Sequence, residues 1–366
     1  MARRVLLHVG LPKTGTTYLQ SIAWANKDVL REQGVLLPGF GPRQHLWASG
    51  VVREEKGLDR RHPDAHKAWD QLLAETRAWS GTALISHEFF AGASAEQVRR
   101  AVADLGDAEV HVVVTAREIV GLVTARWQEW VKNGATGPID TYPPGTGGDP
   151  SDEWGWDTND LADVLERWGG PLPRGHVHLV TLPGRDEPKD ALWRRFAGLL
   201  DVDPDSCDTT VSQPNESLGV VEVELLRRIN PHLGEFSAPV DKGVWIRGYL
   251  AQDKLVPRGG ERFWPSPARV AELRERGERG LAAIEAAGYH VVGSVDALRT
   301  PPELEPRRHP DTVTDAELVD AAAATIADML VDVRRQRRRL TAASGGSAGR
   351  LLGRARAGVR RVLGRF

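Results

Sequence analysis

Scarcity bounds this chain before any motif is read. It has one cysteine, Cys207, in 366 residues, so no intrachain disulfide can form and a lone thiol cannot build a cysteine-rich zinc site. It has no run of about twenty apolar residues, which excludes a transmembrane helix. From Val333 onward it has eleven arginines and no acidic residue. All 50 acids therefore lie in 1–332 beside 37 of the 48 basic residues, and that body has a formal charge of −13. Nothing in so acidic a body reads as a nucleic-acid binder. The amino terminus passes straight into a strand pattern with no signal-peptide zones, so a cytoplasmic protein is expected.

What is present is concentrated early. Residues 5–9 (Val-Leu-Leu-His-Val) read as a buried strand that breaks at Gly10 and enters the loop Leu11-Pro12-Lys13-Thr14-Gly15-Thr16-Thr17. A helical pattern with Tyr18, Leu19, Ile22 and Ala25 follows, expected to run to about Gln33 with Gly34 closing it. Strand, tight loop and helix N-terminus form an anion site, since backbone N–H groups and the helix dipole point into the loop. Lys13 adds a charge, and Thr16 and Thr17 add hydroxyl donors, so the ligand should be phosphate-like. A Walker A loop places Lys directly after its second Gly. Gly10 and Gly15 have that spacing, but Thr16 occupies the Lys position and Lys13 lies inside the loop.

Pro12-Lys13-Thr14-Gly15-Thr16-Thr17 instead resembles the 5′-phosphosulfate loop of sulfotransferases that use 3′-phosphoadenosine 5′-phosphosulfate (PAPS). The resemblance, to bacterial sulfotransferase-like proteins, covers about 5–230. It implies that Lys13 touches the bridging oxygen between phosphate and sulfate and that the Thr pair holds the 5′-phosphate. It further implies that Arg117 grips the 3′-phosphate. The family places a Ser eight residues after that Arg; here the position is Ala125, with Thr124 beside it as the substitute. Glu88 resembles the general base of the heparan-type enzymes, although Phe89 replaces the Lys of that motif, and His87 is the rival because cytosolic members use a His base. A carboxylate just past a strand in apolar sequence is expected to have a raised pKa, and alternation along a strand should let only one of the pair face the site.

Along the chain, strands are expected at 35–38, 82–86, 109–115, 176–181 and 290–292. Helices are expected at 64–79, 94–105, 117–132, from 157, from Pro188, at 217–230 and at 266–287. Residues 39–63 read as irregular. His62 and His66 have the spacing of a metal pair but no third ligand near them. Alternating strands and helices predict an α/β fold, a P-loop-like three-layer sandwich with a central parallel sheet and helices on both faces. Ligands of such sheets bind at the carboxyl ends of the strands, and the Lys13 loop, His87-Glu88 and Arg117 each follow a predicted strand. Residues 134–156, rich in Gly and Pro, read as a lid, an acceptor-recognition segment or a plain surface excursion. Trp127 and Trp130 border the acceptor pocket or serve the core. Asn215 to Gly219 resembles a recurring family segment and reads chemically as a helix cap at Ser217; Lys242, Gly243 and Arg247 offer late phosphate contacts.

The organisation expected is a catalytic domain over 1–300, a linker and helix over 301–340 with a Thr314/Glu317 capping box, and a Gly/Ser linker with a basic tail over 341–366. Leu351, Leu352, Ala355, Val359, Val362, Leu363 and Phe366 would form one apolar stripe, with Arg350, Arg354, Arg356, Arg360, Arg361 and Arg365 around it. That pattern reads as an anchor to an anionic membrane surface, as a helix folded back on the acidic body, or as a disordered segment. The predicted function is transfer of a sulfuryl group from PAPS to a hydroxyl or amine acceptor (a glycan, a lipid or a small natural product), with no metal. The competing functions are a P-loop kinase or NTP-binding protein, whose Mg²⁺ site lacks a strand-end Asp here, and a non-catalytic adaptor on the same fold.

Overall fold

The computed structural model describes residues 2–144, 153–184, 186–211 and 217–363, the side chains of Pro239 and of 342–363 excepted. Six strands form one parallel sheet: β1 (Arg4–Gly10), β2 (Val35–Leu36), β3 (Thr82–Ser86), β4 (Glu109–Ala116), β5 (Val177–Thr181) and β6 (His290–Val292). Their order across the sheet is β2-β3-β1-β4-β5-β6, with parallel pairing throughout. Near-continuous Val/Leu/Ile runs suit strands covered on both faces. Val5, Leu7, Ile85, Val112 and Leu179 enter one core; Leu6, Leu84, Val113 and Val180, one residue out of phase, enter the other.

The first face is covered by α3 (Pro42–Val52), α4 (Ala68–Ala78), α5 (Ala95–Asp104) and α7 (Leu161–Gly169) through Trp47, Leu72, Val98 and Trp168. The second is covered by α1 (Thr16–Ala25) and α8 (Ala191–Leu200) through Leu19, Ile22, Trp193 and Phe196. The expected three-layer α/β architecture is therefore present. A third core lies away from the sheet and is built mainly from helices. It gathers α6 (Ile119–Lys132), α9 (Val220–Ile229), a π-helix (Lys242–Leu255) entered through a turn α10 (Pro239–Asp241) that lies outside the core, α11 (Pro267–Ala287) and α12 (Asp315–Leu363) around Trp127, Val223, Ile246 and Leu273. Of these six, the sequence reading omits α10 and the π-helix. No helix of the described residues is long and apolar enough to cross a membrane.

Several boundaries differ from expectation for identifiable reasons. The first helix does not run to Gln33. Asn26 donates its side-chain N–H to Ile22 O at 2.8 Å and to Asp208 O at 2.9 Å, a back-bond that interrupts the helix, and α2 (Lys27–Glu32) restarts it. Residues 39–63 contain α3, whose apolar period is diluted by Gln44, His45 and Ser49, all buried. His62 stacks on Trp47 with ring centroids 4.8 Å apart, which gives it a packing role, while His66 is exposed. Gly219, not Ser217, caps α9. In α12 the residues packed inward are Ala321 and Thr325, whereas Ile326, Leu330 and Val333 are exposed. That helix runs through the 341–349 stretch expected to be a linker; the membrane-anchor reading of the tail falls on side chains outside the described residues.

Candidate functional site

The loop after β1 is built on left-handed backbone. Gly10 (φ 105) is where β1 meets the start of the next turn, and a Cβ there would stand 3.0 Å from Glu88 O. The Leu11 N–H donates to Thr115 O at 2.7 Å, tying the loop to the end of β4. Lys13 is itself left-handed (φ 64), a conformation that costs a non-glycine residue about 1 kcal/mol. Gly15 (φ 83) precedes α1 without a side-chain cap, so the first-turn N–H groups are open to an anion.

The three threonines behave differently. Thr14 turns inward, donating to Leu11 O and sharing a 2.6 Å hydrogen bond with Thr115, which leaves only its backbone for a ligand. Thr16 is also buried, and Thr17 is exposed. Beneath them His8 joins Ser86 (2.8 Å) and Thr115 (3.2 Å), a bridge from β3 through β1 to β4 under the loop. Burial pushes His8 down to about 4, so it is neutral at physiological pH.

Lys13 does not stand free. Its Nζ lies 2.6 Å from Glu129 on α6, and Arg247 of the π-helix reaches the same carboxylate at 2.7 Å. Burial raises the Glu129 carboxyl, but Lys13, Arg247 and the adjacent Lys132 outweigh it and hold the group down to about 2. Lys132 is itself buried, and burial lowers it to about 8 against the pull of Glu129. Three cations thus surround one carboxylate at the mouth of the loop, leaving an excess of positive charge where an anion would sit.

Glu88 and His87 lie beside this loop. His87 caps the short turn Glu88–Gly92, its Nδ1 accepting the Phe89 N–H at 3.1 Å. Both side chains gather on one side, Nδ1 to Glu88 Oε2 being 4.0 Å, because the strand has ended at Ser86 and alternation no longer separates them. Gln20 of α1 donates to Glu88 Oε2 at 3.2 Å. The expectation of a raised Glu88 pKa is wrong. Burial pushes it up, but His87, the backbone, Gln20 and His8 together leave it below the ordinary value. His87 is also lowered, chiefly by burial. A neutral ring whose Nδ1 accepts must carry its proton on Nε2, so His87 can donate there and has no lone pair left for a proton. Glu88 is the ionised acceptor.

Arg117 follows β4 and precedes α6. Its Nε is buried with no hydrogen-bond partner among the described residues, and its nearest carboxylate, Glu118, is 3.9 Å away. Glu118 instead caps α6 through the Gly121 N–H at 2.7 Å. Burial lowers the Arg117 pKa, Glu118 opposes this, and Arg262 and Arg307 add to the lowering; a guanidinium stays charged regardless. Thr124 donates its hydroxyl to Val120 O at 2.7 Å. As a substitute for the missing Ser, Thr124 would have to turn its hydroxyl away from Val120 O to donate to a phosphate. Trp127 is core, fully buried and donating to Gly137 O. Arg126 anchors the far end of the 134–156 loop, reaching Asn159 at 3.0 Å and stacking on Trp154; residues 145–152 of that loop lie outside the described residues.

Comparison with known proteins gives one structural likeness. The chain is similar to a sulfotransferase from Alicyclobacillus acidocaldarius, with 15% identity and a TM-score of 0.40 over 63% of this chain and 93% of that one. No family model matches, and no curated protein matches in sequence.

Sequence reasoning missed Glu129, Lys132 and Gln20. A signal existed for the first two: charged residues set among Trp127, Trp130 and Val131 on a helix that is otherwise mostly apolar. Arg247, read only as a late phosphate contact, is brought to the loop by the π-helix.

Proposed function

We propose that this chain transfers the sulfuryl group of PAPS to a hydroxyl or amine acceptor. One observation supports the reading above others: two separate cationic places share the carboxyl end of one sheet. One is the Lys13, Lys132 and Arg247 group around Glu129. The other is Arg117, with a buried Nε that has no hydrogen-bond partner among the described residues. A donor with a 5′-phosphosulfate and a 3′-phosphate requires such a pair. The donor supplies the sulfuryl group, and the residues supply charge, position and a proton acceptor. Lys13, Arg247 and the open N–H groups of α1 neutralise the leaving 5′-phosphate, with the Thr16 and Thr17 hydroxyls beside them. Arg117 holds the 3′-phosphate. Glu88, ionised and oriented by Gln20, takes the acceptor proton.

The test is calorimetric titration with adenosine 3′,5′-bisphosphate in excess EDTA. One molecule should bind per chain, and affinity should drop at least tenfold for adenosine 5′-phosphate and again in Arg117→Ala. Preference for Mg·ATP, lost in EDTA, would replace this reading with the NTPase one. Bisphosphate binding without sulfuryl transfer from PAPS to any acceptor would leave the adaptor.

A further inference from the structure

The other end of the same sheet carries a cluster that sulfuryl transfer does not use. Glu109 and His111 sit at the start of β4, two residues apart and so on one face. His176 closes the turn Arg174–His176 just before β5. About 20 Å of strand separates His111 from Arg117, and about 26 Å separates Glu109 from it. We propose that Glu109, His111 and His176 form a binding site for a zinc-type divalent cation.

The donor set and its spacing carry the proposal. One ligand atom from each residue lies within 4.8 Å of the others. Glu109 Oε1 is 2.8 Å from His111 Nε2 and 3.6 Å from His176 Nε2. A zinc ion stands about 2.0–2.2 Å from nitrogen and carboxylate ligands, so small rotations of Glu109 and His176, both solvent-accessible, complete the geometry. Two imidazoles and one carboxylate leave a fourth position to water. Arg4 opposes binding from the neighbouring strand, but its guanidinium is already paired with Asp201 at 2.8 Å.

Behind His111 stands a row of two further histidines. His111 Nδ1 is 2.7 Å from His178 Nε2, and His178 Nδ1 is 2.7 Å from His290 Nδ1. Ligating imidazoles donate their other N–H to such a partner, which fixes tautomer and ring orientation. With one proton per ring, this row has two self-consistent directions. Without metal, His111 donates Nε2–H to Glu109, His178 donates Nε2–H to His111, and His290 donates Nδ1–H to His178. With a cation on His111 Nε2, His111 and His178 carry their protons on Nδ1, and His290 carries its proton on Nε2. The cation therefore reverses the row, and the ring nitrogens report it.

The experiment uses the full chain without a polyhistidine tag, stripped of metal and dialysed against Zn²⁺ near neutral pH. One zinc per chain is expected, with affinity at least tenfold weaker in His176→Ala and in Glu109→Gln and unchanged in His62→Ala. Both ligand variants alter surface side chains, and circular dichroism checks their fold. Ring-nitrogen NMR should show the His178 proton moving from Nε2 to Nδ1 on zinc addition. Sub-stoichiometric binding, binding that survives both ligand variants, or a His178 tautomer unmoved at saturation would overturn the proposal.

Discussion

The two ends of this sheet use the same strands for opposite electrostatic purposes. At the carboxyl end, β1 runs into the loop that opens α1, and β4 runs into Arg117 and α6; helix N-termini gather there, and so do Lys13, Lys132, Arg247 and Arg117. At the amino end, α5, α7 and α11 finish shortly before β4, β5 and β6 begin. Helix C-termini, with their partial negative charge, therefore face the strand starts where Glu109 and the histidines lie. Parallel topology alone makes one end suited to anions and the other to cations. Side chains then amplify what the backbone has set.

The largest expected effect that would break the comparison is at Glu88. Glu88→Gln should abolish transfer while bisphosphate affinity stays within about twofold, because in the proposed reaction the carboxylate takes the acceptor's proton and does not touch the nucleotide. His87→Ala should retain turnover, its Nδ1 being occupied by the Phe89 N–H. Reversed phenotypes in a PAPS transfer assay would move the base to His87.

Next is Lys13→Ala. Removing the charge at the leaving group should cut turnover on the order of 10²-fold or more. The fold should persist, since Glu129 keeps Arg247 at 2.7 Å. Near-normal turnover by a folded variant would sink the assignment of the carboxyl end as the reacting end.

Acid should weaken the carboxyl end through its buried rings. His8 and His45 are held down to about 4 by burial, below the unfolded value near 6.5, so between those limits the unfolded chain binds more protons. Stability is full above about pH 6.5 and falls as pH drops toward 4, by a few kcal/mol for each ring. Glu129 adds to this at lower pH, its contribution being present above about 4.5 and lost toward 2. Urea unfolding at pH 7 and pH 5 measures the difference, and equal midpoints would mean that these rings are already charged in the folded chain.

Smallest is Gly15→Ala. Its Cβ would meet Leu192 Cδ2 at 2.4 Å on left-handed backbone, and a loss of about 1–3 kcal/mol is expected as Leu192 gives way. Thermal unfolding reads it directly; an unchanged midpoint would show that the loop tolerates a side chain where the anion reading needs bare backbone.

What was legible in the sequence was whatever is encoded locally. The Val/Leu run of β1, the loop glycines and the Thr314/Glu317 capping box all appear where expected, because each depends on neighbours a few residues away. The parallel sheet followed from the alternation of such segments. What escaped depends on groups brought together from distant elements. Lys13 meets Glu129 only because α6 packs beside the loop. The Glu88 pKa falls instead of rising because the neighbouring His87 and the backbone, helped by Gln20 of α1 and His8 of β1, outweigh burial. The histidines of β4, β5 and β6 read singly as strand residues, and only strand order makes them a row. In α3, buried polar residues masked the helical period that would have revealed it.

The outer strands of the sheet have a consequence for how the molecule behaves in company. β2 spans two residues and β6 three, so each border offers only a brief ladder of free backbone groups. A long bare border is a template on which a neighbouring chain can add a strand and start an aggregate. Here the buried Val/Leu/Ile runs of β1, β3 and β4, the segments best able to seed fibrils, all lie inside that order. Self-association of the folded chain, where it occurs, is thereby steered to its helical surfaces.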